Sequence, residues 1–218
     1  MCGRFSQSKP LDVLARRFRA SYPLTNLEPR FNIAPTQKAP ILRVADDGQR
    51  SISLVRWGLV PHWAKDMSIG AKMINARCET AAEKPGFRSA MKARRCLVLA
   101  DGFYEWKKVG AKKQPWRFVS KDDEPFAMAG LWETWGPEKI ETFTIITTTS
   151  NALVAPLHDR MPVVFPDSAA EDAWLSAGDA ALLKPAPDEI LRAFIVSDRV
   201  NNVRNDEPEL IQEQPSGL

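Results

Sequence analysis

Residues 96–106 read Cys96-Leu97-Val98-Leu99-Ala100-Asp101-Gly102-Phe103-Tyr104-Glu105-Trp106. Five apolar residues in succession form a strand buried by its neighbours, too short and too β-branched or bulky for a free helix. Asp101-Gly102 breaks the run, and the aromatic stretch 103–106 then carries the extended chain onward. Similar stretches lie on either side. Strands are expected at 40–45 and 51–57, with Asp46-Asp47-Gly48 between them as a hairpin turn, and at 115–120, 126–133, 142–149, 162–165 and 190–196. Leu11, Val13, Leu14 and Phe18 fall at helical spacing, which predicts a helix over 10–21. Further helices are expected at 79–95, interrupted at Pro85-Gly86, and at 151–157 and 168–177, whereas 29–35 and 58–70 read as loops.

Many strands with few, scattered helices predict an α+β fold: a mainly antiparallel, barrel-like β-sheet with peripheral helices. No composition break marks a linker, so one domain over 2–208 is expected, followed by a loose C-terminal tail at 209–218.

The 218 residues suffice to bury a core, and 44% apolar with 26% charged residues is ordinary for a water-facing globular chain. No apolar run is long enough to cross a membrane, and Gln7, Ser8, Lys9 and Arg16 interrupt any signal-peptide core. Three cysteines, Cys2, Cys78 and Cys96, cannot all pair with one another. Without an export signal, reduced thiols and a cytoplasmic location are expected. Two histidines, His62 and His158, and no cysteines at ligand spacing argue against a metal, and the scattered glycines form no phosphate loop. No cofactor is expected.

The net charge of +3 conceals an asymmetry. Residues 1–118 hold 23 Lys/Arg against 9 Asp/Glu, and residues 119–218 hold 7 against 18. A basic first half can face a polyanion, or the two halves can neutralise each other inside one fold. Within 87–118, nine Lys/Arg alternate with Phe103, Tyr104, Trp106 and Trp116, a mixture that suits single-stranded nucleic acid, although the lysines at 107–113 also fit a solvated hairpin tip.

Four islands are polar or aromatic where packing does not require it: 1–5, 74–77, 101–106 and 158–162. Cys2 is the second residue. Once Met1 is removed it presents an amine and a thiol on adjacent carbons, with ordinary pKa values of about 7.7–8.0 and ~8.5. Such a 1,2-aminothiol attacks an aldehyde first through nitrogen and then through sulfur, closing a five-membered thiazolidine. The second attack is intramolecular and therefore strongly favoured. The plain alternative is an early residue of a frayed terminus. Glu105, between tyrosine and tryptophan, is expected to have a raised pKa fit for general acid–base work, or else to point outward to a nearby lysine. His158 can exchange a proton near neutral pH or simply cap a helix. Asn75 and Arg77, two apart, can share one strand face.

Together the islands resemble one family. Met1-Cys2-Gly3-Arg4-Phe5, Phe31-Asn32-Ile33-Ala34-Pro35, Trp57-Gly58-Leu59-Val60-Pro61, Asn75-Ala76-Arg77-Cys78-Glu79-Thr80, Ala100–Trp106 and His158-Asp159-Arg160-Met161-Pro162 are similar, in that order, to motifs of the SRAP (SOS response-associated peptidase) family. The resemblance implies an SRAP-type domain that senses abasic sites in single-stranded DNA. It further implies a thiazolidine crosslink through Cys2, protection of the lesion from strand cleavage, and self-removal of Met1. By the same resemblance Cys2 is the nucleophile, Glu105 relays protons, His158 assists sugar ring opening and Asn75 orients the opened sugar. Arg4, Arg77 and Arg160 would hold phosphates, and Asn32, Pro35 and Trp63 would shape the DNA path. The implied partner is single-stranded DNA bound by a monomer, at the nucleoid when engaged. Two other functions compete: an N-terminal-nucleophile amidohydrolase using Cys2, and a non-catalytic single-strand binder.

Overall fold

The computed structural model describes residues 2–23, 26–45 and 47–215. Among these the chain runs β1 (Phe5–Gln7), α1 (Leu11–Phe18), β2 (Arg30–Ile33), β3 (Lys38–Val44), β4 (Arg50–Trp57), β5 (Asn75–Arg77), α2 (Arg88–Ala93) and β6 (Arg95–Ala100). It continues through β7 (Gly102–Val109), β8 (Lys112–Ser120), β9 (Phe126–Trp135), β10 (Ile140–Thr149), β11 (Arg160–Pro162), α3 (Ser168–Ser176) and β12 (Leu191–Ile195), with short 3-10 turns between several of them.

Strands β10, β4, β3, β6 and β9 lie in that order, and β9 pairs back with β10, closing a five-stranded barrel. The ten-residue β10 has room for more partners along its length, and both β5 and β11 add to it. A second sheet has the order β12-β8-β7-β1-β2. Antiparallel pairings dominate, while β4 and β5 run parallel to β10. The expected α+β architecture is therefore present, with a barrel and a companion sheet in one domain.

β6 shows why 96–100 is apolar on both faces. Leu97 and Leu99 pack with Leu14 and Phe18 of α1 and Trp174 of α3. Cys96, Val98 and Ala100 turn the other way, toward Phe5 of β1, Phe103 of β7 and Phe118 of β8. The period-2 alternation thus serves helices on one side and the second sheet on the other. At Asp101 the chain leaves the barrel and enters the second sheet. There the buried Asp101 carboxylate accepts from Ser6 Oγ (2.6 Å), the Ser8 amide (2.7 Å) and Arg117 Nη2 (3.0 Å). Gly102 is required at this crossing, because a Cβ would sit 2.6 Å from Arg117 Nε.

Several expectations are corrected. Residues 29–35 are not a loop throughout: Arg30–Ile33 form an edge strand because β1 offers a partner, with Phe5 opposite Ile33. Residues 151–157 are successive turns rather than a helix. The Asn151 side chain accepts the Val154 amide, and Pro156 has no amide hydrogen to continue the ladder. The helix expected over 79–95 shrinks to Arg88–Ala93, since Arg95 already belongs to β6. The tail is held further than expected: Pro208–Ile211 form a 3-10 turn, Leu210 is fully buried, and the Gln214 amide donates to Ile195 O. Residues 216–218 of that tail, Met1, and Asp46 of the expected hairpin turn lie outside the described residues. The rest of that turn is closed by the Ala45 amide donating to Gln49 O. No helix among the described residues is long and apolar enough to cross a membrane.

Candidate active site

Cys2 lies just ahead of β1, an inner strand of the second sheet between β2 and β7. Phe5 stands opposite Phe103, and the Tyr104 amide donates to Arg4 O at 3.0 Å, so the ladder carries the N-terminal segment up to the level of Glu105. From the barrel side, Asn75 opens β5 and donates Nδ2–H to Cys2 O at 2.8 Å. Cys2 is fully buried. Burial pushes its thiol well above the ordinary range, and the nearby Glu105 charge pushes the same way.

Glu105 is 3% exposed. Burial raises its carboxyl to about 7, with the Asp159 carboxylate adding to the effect. A strand residue between two aromatics has no water to stabilise its charge, as the sequence implies. His158 follows the turns after β10. Its Nδ1 lies 2.9 Å from the Arg160 amide nitrogen and 2.8 Å from Asp159 Oδ1. One nitrogen cannot accept from the first and donate to the second. Burial lowers the imidazole pKa, so the neutral ring is favoured. Nδ1 then accepts the Arg160 amide hydrogen, and the proton resides on Nε2. Glu105 and His158 meet Arg4, Trp106, Lys108, Lys113 and Asn201 around a cleft of about 500 Å³. The four expected chemical residues are thus brought together: Cys2 bonded to Asn75, and Glu105 beside Cys2 and sharing the cleft with His158.

The expected DNA contacts divide. Arg4 lines the cleft, braced by Nη1 donating to Asn32 Oδ1 (2.6 Å) and Val200 O (2.8 Å), with its guanidinium 5.7 Å from the Trp106 ring centre. Asn32 is fully buried: its Nδ2 donates to the carbonyls of Val200, Asn202 and Asn205 and its Oδ1 accepts from Arg4, so its polar atoms are taken up inside the protein. Arg160 is likewise engaged within the protein. At 8% exposure it grips Glu79 with both Nη atoms (2.6 and 2.9 Å) and donates to Thr147 O, fastening β11 to β10 and to the turn after β5. That ion pair holds the Glu79 carboxyl down at about 2. Arg77 is exposed on β5, Pro35 is half-buried in the turn after β2, and Trp63 is 52% exposed with Nε1 donating to Pro85 O.

Sequence reasoning did not place Asn201, Lys108 and Lys113 in the site. The signal available for the lysines was the alternation of Trp106 and Lys108 along one strand; nothing local marks Asn201. Among the described residues no group of three or more His, Cys, Asp or Glu is placed to hold a metal ion.

Similarity to known proteins runs nearly the length of the chain. The family model described as "SOS response associated peptidase (SRAP)" matches residues 1–203. The Abasic site processing protein YoqW of Bacillus subtilis (strain 168) is 42% identical, covering 97% of this chain and 99% of its own. The Abasic site processing protein HMCES of Xenopus tropicalis is 32% identical over 84% of this chain and 65% of its own length. A crystal structure of a protein from Bacteroides thetaiotaomicron superposes with a TM-score of 0.87 at 28% identity, covering 98% of this chain and 100% of that one. The chain belongs to the SOS response associated peptidase (SRAP) family.

Proposed function

We propose that the chain recognises abasic sites in single-stranded DNA and captures them covalently through Cys2, acting as a monomer. The observation that carries this reading is that Glu105 lines a basic cleft with His158 and also acts on the buried Cys2, which Asn75 holds by its carbonyl. Hydrolysis of the Met1–Cys2 peptide bond frees the α-amine, and this removal is part of the proposal. The ring-opened abasic sugar is an aldehyde. The Cys2 amine adds to its C1′, and the resulting carbinolamine loses water to give an imine. The Cys2 sulfur then adds to the imine carbon, and its proton passes to the new ring nitrogen. The net change is one thiazolidine formed and one water released.

Glu105 suits the proton transfers. A carboxyl that titrates near 7 can protonate the departing hydroxyl and accept a proton afterwards. Since burial keeps the Cys2 thiol protonated, its attack needs a base, and Glu105 is the carboxylate close enough to act on it. His158, neutral with its proton on Nε2, can pass that proton to the sugar oxygen during ring opening. Asn75 fixes the Cys2 backbone. Consuming the aldehyde removes the group that promotes β-elimination, which protects the strand. If the reaction stopped at the imine, lyase chemistry would remain open.

The test is incubation with matched oligonucleotides, abasic and intact, followed by a denaturing gel and intact mass analysis. The expected product appears only with the abasic strand and weighs protein lacking Met1 plus DNA minus one water. A covalent product in which Met1 is still attached would sink this chemistry. Hydrolysis of glutamine without any adduct would instead favour the amidohydrolase.

A further inference from the structure

The β7–β8 hairpin carries a charge arrangement that the proposed chemistry leaves unused. Alternation along β7 puts Trp106 and Lys108 on one face and Glu105, Lys107 and Val109 on the other. Across the ladder Lys108 stands opposite Lys113, Lys107 opposite Gln114 and Val109 opposite Lys112. Side chains directly opposite have Cβ atoms about 4.5–5.5 Å apart, and like charges there repel. All four lysines are exposed, and among the described residues none enters an ion pair. Only Lys108 and Lys113 line the cleft with Arg4, Glu105 and His158. The fold therefore holds two repelling cations together at the mouth of the reactive cleft.

We infer that Lys108 and Lys113 seat a backbone phosphate of the strand flanking the abasic nucleotide. A phosphodiester has two free oxygens and one negative charge, which bridges two compact ammonium groups and relieves their repulsion. Glu105 and this pair line the same cleft, so a strand whose sugar enters it brings its flanking phosphates near both ammonium groups. The inference rests on the proposed function, since it assigns a role to the DNA beside the lesion. Lys107 and Lys112 do not line the cleft and have no part in it.

Two double variants remove the same charge: Lys108→Ala/Lys113→Ala and Lys107→Ala/Lys112→Ala. Binding is read by fluorescence anisotropy on a single strand carrying a tetrahydrofuran abasic analogue, which has no aldehyde and cannot crosslink. Salt is varied from about 50 to 300 mM, because each neutralised phosphate contributes about 0.7 to the slope of log affinity against log salt on single strands. For the cleft pair, the slope should become shallower by about 0.7 and affinity should fall about fivefold or more at low salt. The opposite-face pair should change affinity less than about twofold. Arginine at both cleft positions should restore binding. Equal losses from both pairs would mean bulk charge alone, and no loss from the cleft pair would mean no phosphate there; either result overturns the inference. Failure of the unaltered protein to capture a natural abasic strand would instead overturn the proposed function, and the contrast on the analogue remains readable apart from it.

Discussion

The Asn75 carboxamide and the Cys2 carbonyl are joined by a 2.8 Å hydrogen bond that spans two sheets: Asn75 belongs to β5 on the barrel, and Cys2 leads into β1 of the companion sheet. The Asn75 Oδ1 is buried and has no hydrogen-bond partner among the described residues, so it remains an open acceptor beside the nucleophile. Asn75→Ala should slow single-turnover adduct formation about fivefold, since one such bond contributes on the order of 1 kcal/mol. The fold should survive, because β5 is held by backbone pairing to β10. An alanine variant as fast as the parent would show that this bond does not position the nucleophile.

Cys2→Ala keeps an α-amine and loses sulfur. It should still form an imine with an abasic strand, trapped by borohydride, but no adduct that survives heating without reductant. The readout is a denaturing gel with and without borohydride. A heat-stable adduct at full yield from this variant would refute ring closure through sulfur.

Glu105 gives a pH test with a definite sign. Its folded-state value, about 7, lies above the 4.5 of an ordinary glutamate. The folded chain therefore holds more protons than the unfolded chain between those values. Stability from this group is fully present below about pH 4.5 and declines as pH rises to about 7. Glu105→Gln should remove that decline and be more stable than the parent above pH 7, by up to roughly 3 kcal/mol. The same variant should crosslink more slowly and lose a rate inflection near pH 7. Denaturant titrations and rate measurements across pH check both, and an unchanged pH–rate profile would confine Glu105 to packing.

Arg160 and Arg77 should behave in opposite ways. Arg160 is buried and gripped by Glu79, so Arg160→Ala should cost about 1–3 kcal/mol of stability, with allowance for the half-exposed partner. It should leave the salt slope of DNA binding nearly unchanged. Exposed Arg77 should do the reverse: its alanine variant should melt normally yet show a slope shallower by about 0.7 if it meets a phosphate. Thermal melts and salt titrations on both variants decide. A shallower slope for Arg160→Ala would return it to the DNA face.

Long apolar or alternating stretches were legible in the sequence: β6, β8, β9, β10 and α3 lie close to where their residues predict. Segments whose structure depends on a distant partner were not. Arg30–Ile33 becomes a strand because β1 lies beside it, and Asn151–Leu157 fails as a helix because Asn151 and Pro156 favour turns. The site divides the same way. Glu105 announced itself by its aromatic neighbours, and burial supplies the shift that those neighbours imply. Asn32 and Arg160 read as available polar groups, yet both are consumed by partners far along the chain, the carbonyls after Val200 and the Glu79 carboxylate. No local pattern reveals such a partner. The repelling pair Lys108 and Lys113 was visible as composition, but its facing became clear only through the register of the hairpin.

The passage of the backbone from barrel to companion sheet at Asp101 has an effect on timing. Because Cys2 rides one layer while Asn75 is anchored to the other, the bond between them exists only once the two layers have closed on each other. Through a urea series its loss should follow the parting of the layers.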